Sequence, residues 1–189
     1  MRSYLTPLIT VAAWLVVFLA SGAHAARADA LEQQLKNALW LSQIALTPPA
    51  REGAVVEKGT VLVLEADGVP ANRLSVLRVP VYSPRDGIPN PMVHLRNYAR
   101  VEISNDGRIS GERGQLTLNR STRLVVLDLT VKKDGVHLFA HTAAPVRTPD
   151  GGAAYGCTEF VFPLGPETYE RTDASKVLPV IERWLKPAA

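Results

Sequence analysis

The sequence predicts an α+β, mainly β domain: a small antiparallel β-barrel flanked by an N-terminal and a C-terminal helix. Three observations carry this. Apolar residues recur at helical spacing only near residues 29–46 and 174–186. Between them, from Val55 to Phe162, apolar residues alternate with a period of two. No strand–helix–strand alternation interrupts that stretch, which argues against a parallel sheet.

The first residues read as a secretory leader. Arg2 supplies a positive start, Leu5 to Ala20 is almost unbroken apolar sequence, and Ala23-His24-Ala25 offers small residues for cleavage after Ala25. A second site follows Ala30. The apolar run is shorter than the about 20 residues that span a bilayer comfortably, so no stable membrane anchor is expected after cleavage. The prediction is a signal peptide over 1–25 and one domain over 26–189, placed in the periplasm or secreted.

Removing that leader takes one arginine and no acid from the formal charge of +3, leaving +2. The basic residues are dispersed, so nucleic acid is not an expected partner. Cys157 is the single cysteine, so no intrachain disulfide can form and stability must come from packing.

Along the domain, Leu31, Leu35 and Leu39 with Leu41 and Ile44 form one stripe of a helix over 29–46, with Asp29 as its N-cap and Thr47-Pro48-Pro49 as its stop. Gly59 to Leu64 is a β-branched, apolar strand, and Ala66-Asp67-Gly68 after it is a hairpin signal. Leu74 to Val81 is the expected return strand, and 83–92 is a loop rich in Pro, Gly, Asp and Asn. Ala99 to Ile103 is a short strand turned at Asn105-Asp106-Gly107.

The strongest signal is Arg123 to Val131, then Lys132-Lys133-Asp134-Gly135, then Val136 to His141. This is a hairpin with a tight Asp-Gly turn. After a glycine-rich loop over 148–156, Thr158 to Phe162 is a strand with Phe160 and Phe162 on one face and Glu159 and Val161 on the other. The last helix starts near Asp173 and buries Val177, Leu178, Ile181, Trp184 and Leu185.

These pieces resemble a set of exported, uncharacterised bacterial proteins. The residues that carry the likeness are Gly59-Thr60-Val61-Leu62-Val63-Leu64 with Asp67-Gly68, the hairpin around Lys132-Lys133-Asp134-Gly135, the Phe160-x-Phe162 strand and the final helix. The entry to the hairpin, Thr122-Arg123-Leu124-Val125-Val126, departs from the pattern. The resemblance implies an SH3-like or related barrel and supplies no catalytic residues.

Candidate chemistry is sparse. His137 and His141 share a strand face but lie about 13 Å apart along it, too far to share one metal ion, and they read as surface or rim histidines. Neither a metal nor a cofactor is expected. Cys157 with His137 or His141 is a thiol candidate, against the plainer reading of a buried small side chain. Asp128, inside an apolar strand, is expected to face solvent. The segment around 82–98 holds Tyr82, Arg85, His94, Arg96 and Tyr98, the aromatic and arginine vocabulary of binding surfaces.

The sequence therefore favours a non-enzymatic binding or accessory module whose partner is an envelope protein or a cell-wall component. The alternatives are a small hydrolase-like enzyme or ligand-binding protein built on Cys157 and the histidines, or a subunit of an envelope assembly using the N-terminal helix. Oligomeric state is not legible.

Overall fold

The computed structural model describes residues 27–45, 54–57, 59–74, 97–104, 106–165 and 173–188. The expected leader and the binding residues Tyr82, Arg85, His94 and Arg96 lie outside the described residues, as does most of the strand expected over 74–81.

Residues 27–38 form helix α1. Among the described residues thirteen strands follow: β1 Gln43–Ala45, β2 Ala54–Glu57, β3 Val61–Leu64, β4 Val69–Arg73, β5 Ala99–Ile103, β6 Ile109–Gly111, β7 Leu116–Leu118, β8 Arg123–Lys132, β9 Gly135–Thr142, β10 Val146–Arg147, β11 Ala153–Ala154, β12 Gly156–Phe162 and, after helix α2 (Ala174–Glu182), β13 Leu185–Pro187. The chain is α+β and mainly β, and its main sheet is curled.

Nine strands make that sheet, in the order β13-β3-β8-β9-β12-β4-β7, with β5 and β6 branching from β12. The branch arises because β12 shares one edge between two neighbours. Gly156 and Cys157 pair with Arg73 and Asn72 of β4, while Thr158 to Val161 pair with Ala99 to Glu102 of β5. The β5 pairing is parallel, which corrects the expectation of a wholly antiparallel sheet. Strands β10 and β11 form a separate small hairpin, as do β1 and β2.

One face of the sheet builds the core. Leu124, Val126 and Leu129 of β8, Val136, Leu138 and Ala140 of β9, and Phe160 and Phe162 of β12 pack there with Leu31, Leu35 and Leu39 of α1 and Val177 and Ile181 of α2. Leu35 is wholly buried, which contributes about 1.5–3 kcal/mol. The alternation expected for β12 holds, with both phenylalanines in the core.

Helix α1 also covers a sheet edge. Among the described residues, strand β8 pairs with β3 only through Arg123, Leu124 and Val125, and its further backbone on that side has no strand neighbour. The N–H of Ser42 donates to the carbonyl of Val126 at 2.7 Å, and the N–H of Val131 donates to Glu32 Oε2 at 2.9 Å. Exposed edges invite pairing with other chains, and α1 together with the segment after it meets this one.

Several boundaries differ from the sequence reading. The first helix ends at 38 rather than 46, and Asp29 lies inside it instead of capping it. Residues 43–45 are strand β1, because the chain must turn at Trp40, whose carbonyl accepts the N–H of Thr60 at 2.7 Å. Asp67-Gly68 makes a corner, not a hairpin: β3 pairs with β8 and β13, and β4 with β7 and β12. The Asp67 carboxylate accepts the N–H of Arg120 at 2.9 Å, turning the chain toward a different neighbour. Asp173 is the N-cap of α2, but the helix stops at Glu182, and Leu185–Pro187 pairs with Leu62–Leu64 as β13. Pro179 lies within α2, where its missing N–H removes one helical bond.

The expected hairpin is present. Strands β8 and β9 pair from Leu124 with Thr142 to Lys132 with Gly135, so Lys133-Asp134 is the two-residue turn and Gly135 opens β9. A bulge between Val126 and Asp128 shifts the register once.

Candidate functional site

The second face of the sheet is where the polar side chains gather. Strand alternation sends Thr130 of β8, His137, Phe139 and His141 of β9, and Cys157, Glu159 and Val161 of β12 away from the core. Register places them in rows: His141 beside Cys157, Phe139 beside both Glu159 and Asp128, and His137 beside both Val161 and Thr130. Arg100 of β5 lies beside Glu159, and Tyr98, two residues before it, reaches onto the same face. The Tyr98 and Phe139 rings meet edge to face with centroids 5.2 Å apart.

Both histidines are buried, not surface or rim residues: each is 0% exposed. His137 sits between two carboxylates. Its Nδ1 lies 2.6 Å from Glu159 Oε1 and its Nε2 2.9 Å from Asp134 Oδ1. Each ring nitrogen of His137 thus faces one carboxylate oxygen. Arg100 Nη2 donates to the second oxygen of Asp134 at 2.8 Å. The His137 hydrogen bond holds the Asp134 carboxyl down to about 2, outweighing the opposing effect of burial, and the Arg100 hydrogen bond adds to the lowering. One chain of contacts thus ties β5, the β8–β9 turn, β9 and β12.

His141 differs. Its Nδ1 donates to the carbonyl of Thr142 at 2.6 Å, and Nε2 has no partner among the described residues. Burial pulls its basicity below the usual imidazole range, and the Thr142 contact opposes this only in part. The Tyr155 ring stands edge-on to it at 5.9 Å.

Cys157 is the register partner of His141 but makes no hydrogen bond with it among the described residues. The thiol is 3% exposed, and burial pushes its pKa up to about 12. A nucleophilic thiol needs the opposite, an exposed and electropositive setting. Neighbour and thiol are both shifted against proton transfer. The plainer reading of Cys157, a buried small side chain, describes its setting.

Asp128 is not solvent-facing as expected. Lys36 Nζ of α1 lies 3.6 Å from it and 2.7 Å from Glu32, and the Asp128 side chain is 16% exposed. Burial lowers the Lys36 basicity, but the Glu32 hydrogen bond and the Asp128 charge raise it further, and the net shift is upward.

Of the five expected binding residues, Tyr82, Arg85, His94, Arg96 and Tyr98, only Tyr98 lies within the described residues. It is half-buried, and its hydroxyl has no partner among the described residues. Burial, then the nearby Cys157, Asp128 and Glu159, drive its pKa up, so it stays a neutral phenol. Thr130 Oγ1 is likewise buried and unpaired. Leaving such a group unsatisfied costs about 1–3 kcal/mol.

The chain matches no family model, and no curated protein or solved structure is significantly similar to it. Its function must therefore be argued from this face. Among the described residues no three His, Cys, Asp or Glu side chains are placed to hold a metal ion, and no helix is long and apolar enough to cross a membrane.

Sequence reasoning missed Asp134, Glu159, Arg100, Phe139 and Thr130 as members of one site. Alternation alone puts Glu159 opposite the phenylalanines. Only the pairing of β9 with β12 brings it to His137.

Proposed function

We propose that this chain is a non-enzymatic binding or accessory module that works in the periplasm or outside the cell, engaging an envelope protein or cell-wall component. The observation that carries this reading is the polar face around Phe139, where Tyr98 OH, Thr130 Oγ1 and His141 Nε2 are buried without partners among the described residues. Groups kept at a cost to stability are characteristic of binding surfaces rather than of packing. Export rests on the apolar leader with its cleavage site, and on the resemblance to exported bacterial proteins. An SH3-like relationship is our reading of the curled sheet with terminal helices.

The thiol enzyme is the weaker reading, because the pair it needs is buried and shifted away from reactivity. An envelope assembly through the N-terminal helix would need another surface, since Leu31, Leu35 and Leu39 face the domain's own core.

The test is capture of partners from envelope extract by the purified secreted chain, beside a turnover screen with ester and thioester substrates. Specific, saturable capture without turnover supports the module. Turnover lost in Cys157→Ala would sink it.

A further inference from the structure

A neutral His137 ring has one proton too few for its two neighbours. Its Nδ1 lies 2.6 Å from Glu159 Oε1 and its Nε2 2.9 Å from Asp134 Oδ1, and the residue has no exposed surface. A neutral imidazole carries a single N–H, and a carboxylate offers only lone pairs. That proton fills one of the two gaps and leaves a ring lone pair facing a carboxylate oxygen in the other. The Asp134 carboxyl, held at about 2, is ionised and accepts from Nε2. The gap that needs a second proton is the shorter one, between Nδ1 and Glu159.

The other charged groups around the ring do not replace that proton. Arg100 of β5 donates to the second oxygen of Asp134 at 2.8 Å, although its register partner on β12 is Glu159. Glu102 of β5 lies in the row of His137, beyond Val161, and adds negative charge. On β8 the same row holds Thr130, which does not titrate, and the Lys132 ammonium lies 5.9 Å from the Phe139 ring centroid. Among the described residues no cation other than the His137 ring is paired with Glu159.

We propose that a proton shared between His137 Nδ1 and Glu159 is a pH-sensitive clamp, fastening β12 to β9 and its turn in acid and releasing as pH rises. The proton leaves to water or to a buffer base. Glu159 then keeps Arg100 as its charged cross-strand neighbour, so the change is passed to β5. The folded chain holds a proton here that the unfolded chain gives up. This contribution to stability is therefore whole at low pH and lost as pH rises. The clamp goes beyond the binding-module reading and does not depend on it.

The purified chain, labelled with nitrogen-15, is followed by long-range nitrogen–proton spectra of the assigned His137 ring from about pH 5 to about pH 8, where imidazoles change charge. Both ring nitrogens should carry protons at the acid end, and Nδ1 should lose its proton within the range. The thermal midpoint should fall by about 3 °C over the same window. Glu159→Gln should remove that fall, and Asp134→Asn should keep it, because its amide oxygen still accepts from Nε2. A His137 ring that keeps one charge state across the range overturns the proposal in the parent alone, whether or not Glu159→Gln folds. So does a ring titration that leaves the midpoint level, or a fall that Glu159→Gln retains.

Discussion

Glu159 Oε1 lies 2.6 Å from His137 Nδ1, beneath a ring with no exposed surface, so β12 and β9 are joined by a charge-assisted bond as well as by their ladder. Removing one member of such a pair strands the other, which costs about 3–5 kcal/mol. Replacing both by apolar residues of similar size costs much less. His137→Leu and Glu159→Leu should therefore each destabilise strongly, and the double variant should recover part of the loss. Urea unfolding in a double-mutant cycle checks this, with a coupling of about 0.5–3 kcal/mol expected. Additive losses would mean that the contact stabilises nothing.

Asp134 predicts a shoulder in acid stability. Its carboxyl is held at about 2 by His137 and Arg100, against 3.8 for an unperturbed group. A depressed carboxyl binds fewer protons folded than unfolded. Its contribution is thus complete above about pH 4 and is lost as pH falls toward 2. Asp134→Asn should flatten the fall of the thermal midpoint across that window and leave the slope above pH 5 unchanged. The group is half exposed, so solvent screening keeps the effect modest.

Cys157 should resist modification in the folded protein. With its thiol at about 12, roughly one molecule in ten thousand carries the thiolate at pH 8. Ellman's reagent should react slowly in buffer and fast in urea, at a rate that follows unfolding. Cys157→Ser should cost about 1–3 kcal/mol, because it buries a stronger polar group in place of a weakly polar thiol. Prompt stoichiometric labelling of the native protein would contradict the burial seen here.

Much of the fold was legible where local chemistry decides structure. Gly68, Gly107, Gly135 and Gly151 have positive φ, and each follows an aspartate. The first three were readable as turns from the Asp-Gly pairs alone. Local signals failed where neighbours decide. Asp67-Gly68 turns the chain but does not choose its partner, so the hairpin expected there is a corner. Ile44 continues a helical stripe in sequence, yet the tie between Trp40 and Thr60 ends the helix before it. Trp184 and Leu185 extend the apolar pattern of α2, but Leu185 is claimed by β3. The site was half legible: His137, His141 and Cys157 were visible as residues. Their burial, and the roles of Glu159 and Phe139, depend on which strands adjoin.

Gly59 and Gly68 separate two reasons for keeping glycine. At Gly59 a Cβ would stand 1.9 Å from the Trp40 carbonyl oxygen and 2.6 Å from the Leu41 carbonyl carbon, both backbone atoms that cannot swing aside. At Gly68 a Cβ would meet nothing within 4 Å, and the constraint is φ of +74°. Gly68→Ala should therefore cost about 1–2 kcal/mol, the penalty of left-handed backbone for a residue with a side chain. Gly59→Ala must push the segment after α1 away from the start of β3. That would break the 2.7 Å bond from the Thr60 N–H to the Trp40 carbonyl and the 2.7 Å bond from the Gly59 N–H to Ser42 Oγ. A loss above about 3 kcal/mol is expected, as for other severe clashes and broken networks. Amide exchange should quicken at Thr60 and Ser42 first, since the Ser42 N–H also caps the open edge of β8. Equal losses at the two glycines would show that the approach of α1 to the sheet is slack, and that the edge of β8 is guarded by something else.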